Sequence, residues 1–400
     1  MGIADDVNDG RVSARSGVEV ALRAMARLDV DLHFVAEPWH ELARRLAGAV
    51  DDRPPGRRGE LAGVPFMIKE GTGLDTPVVE RLVAAGAIPI GTTTRPTPGA
   101  VSQSWGWNGR DHTRNPWRLD RSPGGSSAGS AVAVAARVVP FATGGDSAGS
   151  LRIPAAFCGV VGFKGTVGRL PRGAGRGLAQ LTGSGVIGAG IDDVVIATRV
   201  ASGSHPNDST ALPRWDPATT PVRRPPRVAF SAALGYSSPD PSVAELVRAR
   251  VAESARAGLV ELVSVRAELA DPERAWLSLY ALDQGRPVDH EDLTAALASR
   301  RELDRALAEM FAEIDALITP TTPQTAYPYL EYEDHLPACQ LCWAFNLSGH
   351  PAITVPIGLL DGLPVGAQVV APPHQDDVAI QVARLIDASP LIPPDRPTSS

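Results

Sequence analysis

The chain has 400 residues, is 44% apolar and carries a formal net charge of −7. It can therefore bury a sizeable core, and its acidic balance argues against nucleic acid or an anionic membrane as partners. Three cysteines are too few for a disulfide framework, no stretch reaches the ~18 apolar residues of a membrane span, and the acidic first residues are no secretory signal, so a cytoplasmic location is expected.

Ser16 to about Val50 has apolar residues at three- and four-residue spacing and reads as helix. Val64 to Ile68 is a buried strand that stops at Lys69. Thr76-Pro77 starts a helix that runs to Ala85, with Gly86 just past its end, and Ala87 to Ile90 is a short strand. Thr92 to Ser122 reads as loop. Ser130 to Ala142 suits a buried helix followed by a strand, and Leu151 to Lys164 reads as strand again. Val194 to Ala201 is a short helix, and Val228 to Phe230 a strand. Ser242 and Glu245 form a capping box for a helix to Ala257, and Leu259 to Val265 is a strand. Leu303 to Phe311 is helical, Ile314 to Ile318, Ile353 to Pro356 and Val365 to Val370 are strands, and Asp376 to Ile386 is the last helix. The alternation predicts one α/β domain with its core at about 16–388, a helical cap near 235–312 and loose tails.

The chemistry concentrates in Gly124 to Ser150, where two Ser-Gly clusters flank an apolar stretch. Gly145-Asp-Ser147-Ala-Gly149 fits G-x-S-x-G, which opens an esterase reading with Ser147 as nucleophile. That reading lacks the upstream His-Gly-Gly loop; His290, His335, His350 and His374 lie downstream as candidate bases. No phosphate-binding glycine motif is present. Cys339 and Cys342 form a single C-x-x-C without a second pair, and the histidines lack metal spacing, so neither metal nor organic cofactor is expected.

A serine hydroxyl needs a base, and a lysine can supply it once burial disfavours the ammonium. Lys69 ends an apolar strand, though a strand-end lysine reaching solvent is the plainer reading of that residue alone. Its company decides. The run Ser122-Pro-Gly-Gly-Ser126-Ser-Ala-Gly-Ser130, then Gly145-Asp146-Ser-Ala-Gly-Ser150-Leu-Arg152-Ile-Pro-Ala-Ala-Phe-Cys-Gly159, resembles the signature of the amidase signature family. Gly63 to Glu70, Thr113 to Trp117, Phe163-Lys164, Ile318 to Thr322, Phe345 to Pro351 and Gly362 to Gly366 extend the likeness over most of the chain.

The resemblance implies a single α/β/α domain, a central mixed sheet flanked by helices, and a Lys–Ser–Ser triad. By motif, Lys69 is the base, Ser126 the bridging serine after a cis peptide bond, and Ser150 the nucleophile. Backbone N–H groups around Ser147, Ala148 and Gly149 are to hold the oxyanion, each donor worth roughly 3 kcal/mol. Gly99 is to line the acyl site. The expected activity is hydrolysis of a small carboxamide, with release of ammonia or an amine or transfer of the acyl group. A homodimer is left open. The amidotransferases that act on tRNA share the motif in one of their subunits, but this short chain is a poor candidate for that role.

Two departures stand out. Ala148 occupies a place where the family usually has glycine, and its methyl group risks crowding the oxyanion site or opposing a positive φ. Glu70 is followed at once by Gly71-Thr-Gly-Leu-Asp75 and a helix, where the family carries a long loop. A more open pocket is one consequence; a compact relative with a small-amide substrate is the other reading. The rival from another class is an inert family member that binds without turnover.

Overall fold

The computed structural model describes residues 2–97, 105–173, 177–217, 225–328 and 337–394. The first residues are no loose tail: α1 (Gly2–Asn8) buries Ala4 and Val7. The Ser13 hydroxyl then accepts the Ser16 N–H and caps α2 (Ala14–Leu32). The periodic stretch predicted as helix to Val50 is broken, because His33 turns into the left-handed region at φ 51°. A short strand, β1 (Val35–Pro38), follows, and then α3 (His40–Asp51). Both helices bury one apolar stripe in the same core, so the spacing runs on across the interruption.

The unit β2 (Pro65–Lys69), α4 (Pro77–Ala84), β3 (Ile88–Thr93) lies where the pattern placed it, with Gly86 at φ 92° after the helix. Next comes α5 (Ala128–Ala135), built of Ala, Gly, Ser and Val and buried throughout, and then β4 (Phe141–Asp146). The run predicted as strand from Leu151 is instead α6 (Arg152–Cys158), ended by Gly159 at φ 71°, and only its last part is β5 (Val161–Lys164). Its apolar residues are buried on every side, which erases the periodicity that separates helix from strand. The glycine-rich β6 (Gly183–Gly188) gave no sequence signal.

After α7 (Ile191–Ala201) and β7 (Arg227–Phe230), α8 (Pro241–Arg256) is capped by Asp240, which accepts the Ser242 N–H at 2.7 Å, and not by Ser242 itself. The strand expected from Leu259 shrinks to β8 (Glu261–Leu262). Two helices follow inside the region predicted as a helical cap, α9 (Glu273–Asp283), not foreseen as a separate element, and α10 (His290–Phe311), longer than read. The chain closes with β9 (Ala316–Pro320), α11 (Trp343–Leu347), the hairpin β10 (Ala352–Leu360) and β11 (Leu363–Val370), and α12 (Asp376–Arg384).

All eleven strands among the described residues join one mixed sheet in the order β1-β3-β2-β4-β6-β5-β10-β11-β9-β7-β8. Alternation sends Phe66 and Ile68 to the face covered by α4 and α7, and Met67 to the face covered by α2 and α5. Lys69 is two residues beyond Met67 and so shares the α5 face. Strands β2 and β4 run parallel as neighbours, so Lys69 and Asp146 leave the sheet at the same edge. The fold is α/β with helices on both faces of a central mixed sheet.

Candidate active site

Three chain segments meet at that edge: the end of β2, the turn before α5 and the loop between β4 and α6. The Lys69 Nζ lies 2.6 Å from the Ser126 Oγ, to which it donates. Lys69 is half-buried by exposed area, but the atoms packed around its amine favour the neutral form and bring its pKa down to about 7. Asp146 opposes that shift and Arg95 adds to it. The Gly125–Ser126 peptide bond is cis.

The Ser126 turn is fixed from below. Gly124 has φ 76°, and a Cβ there would sit 2.8 Å from the Pro154 Cα. The Ser122 Oγ accepts the Gly124 N–H at 2.9 Å, and the Asn115 Nδ2 donates to the carbonyls of Ser122 and Phe157. In α5, Ser130 donates to the Thr143 carbonyl and pairs with the Thr93 hydroxyl at 2.8 Å. A Cβ on Gly129 would lie 2.5 Å from the Phe34 carbonyl oxygen, so only glycine lets α5 come this close.

The second loop, Asp146 to Ser150, is held by a buried ion pair. Arg152 and Asp146 are both fully buried, with Arg152 Nη2 2.8 Å and Nε 2.9 Å from the two carboxylate oxygens. Burial would raise the Asp146 pKa; the Arg152 guanidinium overrides this and holds it well below the carboxylate range. The same carboxylate accepts the N–H of Gly149 at 2.7 Å and of Leu151 at 3.2 Å. Arg152 also donates to Asn346 Oδ1, Gln368 Oε1 and the Cys342 carbonyl, and Asn346 Nδ2 returns to Asp146. Asn346 lies in one of the sequence motifs; Gln368 gave no signal, because its partner stands 216 residues away.

Ser150 is half-buried, and its hydroxyl makes no hydrogen bond among the described residues. Its carbonyl accepts the Ser127 N–H at 3.2 Å, which ties the two serine turns together. Gly149 carries the positive φ, 107°, and a Cβ on it would strike Cys342 at 2.7 Å. Ala148 has no positive φ, so its methyl group is not strained, and it packs among apolar side chains. The Gly149 N–H is engaged by Asp146; those of Ser147, Ala148 and Ser150 have no partner among the described residues. The Ser147 hydroxyl pairs with the Thr182 hydroxyl at 2.5 Å and not with a histidine. Of the histidines, His350 pairs with Ser348 and stacks on Phe311, and His335 and Gly99 lie outside the described residues.

Cys339 and Cys342 are buried free thiols; burial raises both, Cys342 to about 12. Among the described residues, no three His, Cys, Asp or Glu cluster to hold a metal, and no helix is long and apolar enough to cross a membrane.

Comparison with known proteins gives one consistent answer. The family model described as Amidase matches residues 71–284 and 280–379. The chain is 31% identical to a glutamyl-tRNA(Gln) amidotransferase subunit of Symbiobacterium thermophilum over 466 aligned positions, covering 95% of this chain and 92% of that protein. It is 30% identical to the corresponding protein of Pseudomonas aeruginosa, with 95% of each covered. Both alignments are longer than this chain, so the relatives carry segments that it lacks. Among solved structures, a 6-aminohexanoate cyclic dimer hydrolase superposes with TM-score 0.83 at 25% identity, over 98% of each chain. A bacterial aryl acylamidase shares the fold, with TM-score 0.83 at 22% identity over 97% of this chain and 98% of its own.

Proposed function

The chain belongs to the amidase signature family of enzymes that act on amide bonds, and from that premise we propose that it cleaves a small carboxamide through an acyl-enzyme on Ser150. The observation that carries this reading is the short bond between the Lys69 amine and the Ser126 hydroxyl beside the Ser150 loop. A lysine with a pKa of about 7 is neutral in a large fraction of molecules near neutrality and can accept a proton.

Ser126 passes its proton to Lys69 as it takes one from Ser150, whose Oγ attacks the amide carbonyl carbon. That step closes the Ser150–Ser126 contact when substrate orders the hydroxyls. The carbonyl π electrons move onto oxygen, and unpaired loop N–H groups, Ala148 foremost, hold the charge. On collapse the C–N bond breaks, and Ser126 returns a proton to the nitrogen, which leaves as ammonia or an amine. Water then attacks the ester, losing its proton through the same relay, and the acid leaves as Ser150 is restored. Another nucleophile in place of water gives acyl transfer, the chemistry named for the amidotransferase relatives.

Labelling with a fluorophosphonate probe and peptide mapping tests the reading. We expect an adduct on Ser150 that is lost in Ser150→Ala and Lys69→Ala. An adduct on Ser147 would move the protein to the esterase reading, against the Ser147–Thr182 pairing. No adduct in a folded sample would make it a binding protein without turnover.

A further inference from the structure

Helix α9 is tied to the Asp146–Ser150 loop by a hydrogen bond from one of its buried side chains. The Trp276 Nε1–H donates to the Ser147 carbonyl at 2.7 Å. The Ser147–Ala148 peptide is trans, since the cis bonds among the described residues are Gly125–Ser126 and Ser389–Pro390. In a planar trans peptide the C=O and the following N–H point in opposite directions. An indole that holds the Ser147 oxygen therefore also fixes the direction of the Ala148 N–H, which has no partner of its own among the described residues.

We infer that Trp276 is a positioning residue for oxyanion stabilisation, acting through the Ser147–Ala148 peptide. The inference rests on the Ser150 acyl-enzyme reading. The indole is well placed for this task. It is 2% exposed, stacks on Tyr280 at 4.7 Å and 13°, and leans on Trp343 at 6.2 Å. Trp343 opens α11, whose Asn346 grips Asp146 at the start of the same loop. The Ser147 hydroxyl is tied to Thr182, so the peptide is held at its side chain and its carbonyl while its other end stays free. The Ala148 methyl group packs in the same apolar cluster as the indole. No other side-chain donor to the Ser147 carbonyl is found among the described residues.

The test separates the maximal labelling rate of Ser150 by a fluorophosphonate from the probe's apparent affinity. Trp276→Phe keeps a ring for the stacking and loses the donor. Its labelling rate should fall about tenfold, less than the loss of an oxyanion donor itself, with affinity within about twofold, while the lost bond and smaller ring lower the thermal midpoint no more than Leu279→Ala does. Leu279→Ala, a cavity elsewhere in the buried face of α9, should lower the midpoint and leave the labelling rate alone. A Trp276→Phe protein that labels Ser150 at the wild-type rate overturns the inference. So does a loss of rate equally large in Leu279→Ala, which would assign the effect to helix packing. Should Trp276→Phe not fold, Trp276→Leu, which also lacks a donor, carries the same comparison. A wild-type protein that takes no label on Ser150 overturns the acyl-enzyme reading and this inference with it, an outcome distinct from a Ser150 that labels equally fast in both.

Discussion

Lys69 and Lys164 are both placed at strand ends, Lys69 on β2 and Lys164 on β5, and burial brings both to a pKa of about 7. Their partners differ. Lys69 faces a serine hydroxyl, which can accept one proton while giving another. Lys164 is 1% exposed and donates to the carbonyls of Gly165 and His350, which can only accept. A carbonyl cannot relay a proton, so Lys164 remains a donor in either state. A depressed lysine pKa thus marks desolvation, and the partner determines whether the residue can do chemistry.

The comparison breaks most readily at the rate. Lys69→Met should cut Ser150 labelling on the order of 10³-fold, the range of a lost general base, whereas Lys164→Met should stay within about threefold in folded protein. A Lys164→Met protein that folds but labels as poorly as Lys69→Met would give both lysines a part in the reaction. The pH profile sharpens the same point. Wild-type labelling should fall about tenfold per unit below pH 7 as Lys69 becomes protonated, and level off above it. Lys164→Met should keep that profile; a displaced midpoint would mean the two amines titrate as a pair. The smallest effect is on stability. A lysine held near 7 when folded and near 10.5 when unfolded binds fewer protons in the native state between those values. Stability therefore rises with pH across that window and is least below it. The midpoint deficit of Lys164→Met against wild type should grow from pH 7 to pH 10 in thermal melts, and a constant deficit would contradict a buried, depressed Lys164.

The α/β alternation was legible because β2, α4 and β3 carry a buried strand, a Pro-started helix and a Gly stop in one short run. The triad candidates were legible only through motif resemblance, since nothing in Lys69 itself separates a base from a solvated strand end. The misread parts share a physical cause. In α6 every side chain is buried, so neither a two- nor a 3.6-residue period survives. In β6 glycine replaces the branched residues that announce a strand. The concern over Ala148 came from reading a motif position without its dihedral: the positive φ falls one residue later, on Gly149. Trp276 had no sequence signal, because its partner is a main-chain oxygen 129 residues away.

Arg152 makes its remaining contacts with Cys342, Asn346 and Gln368, all in the last sixth of the chain. During synthesis, then, Lys69, Ser126 and Ser150 emerge from the ribosome long before the groups that rigidify the loop between them. A nascent chain that stops short of residue 342 holds all three and leaves the guanidinium with Asp146 alone. The frame around the proposed site is therefore completed late in the making of each molecule, and contacts so distant in sequence form slowly. A partly made or C-terminally clipped copy carries Lys69, Ser126 and Ser150, the proposed reacting groups, without the frame that holds their loop in place.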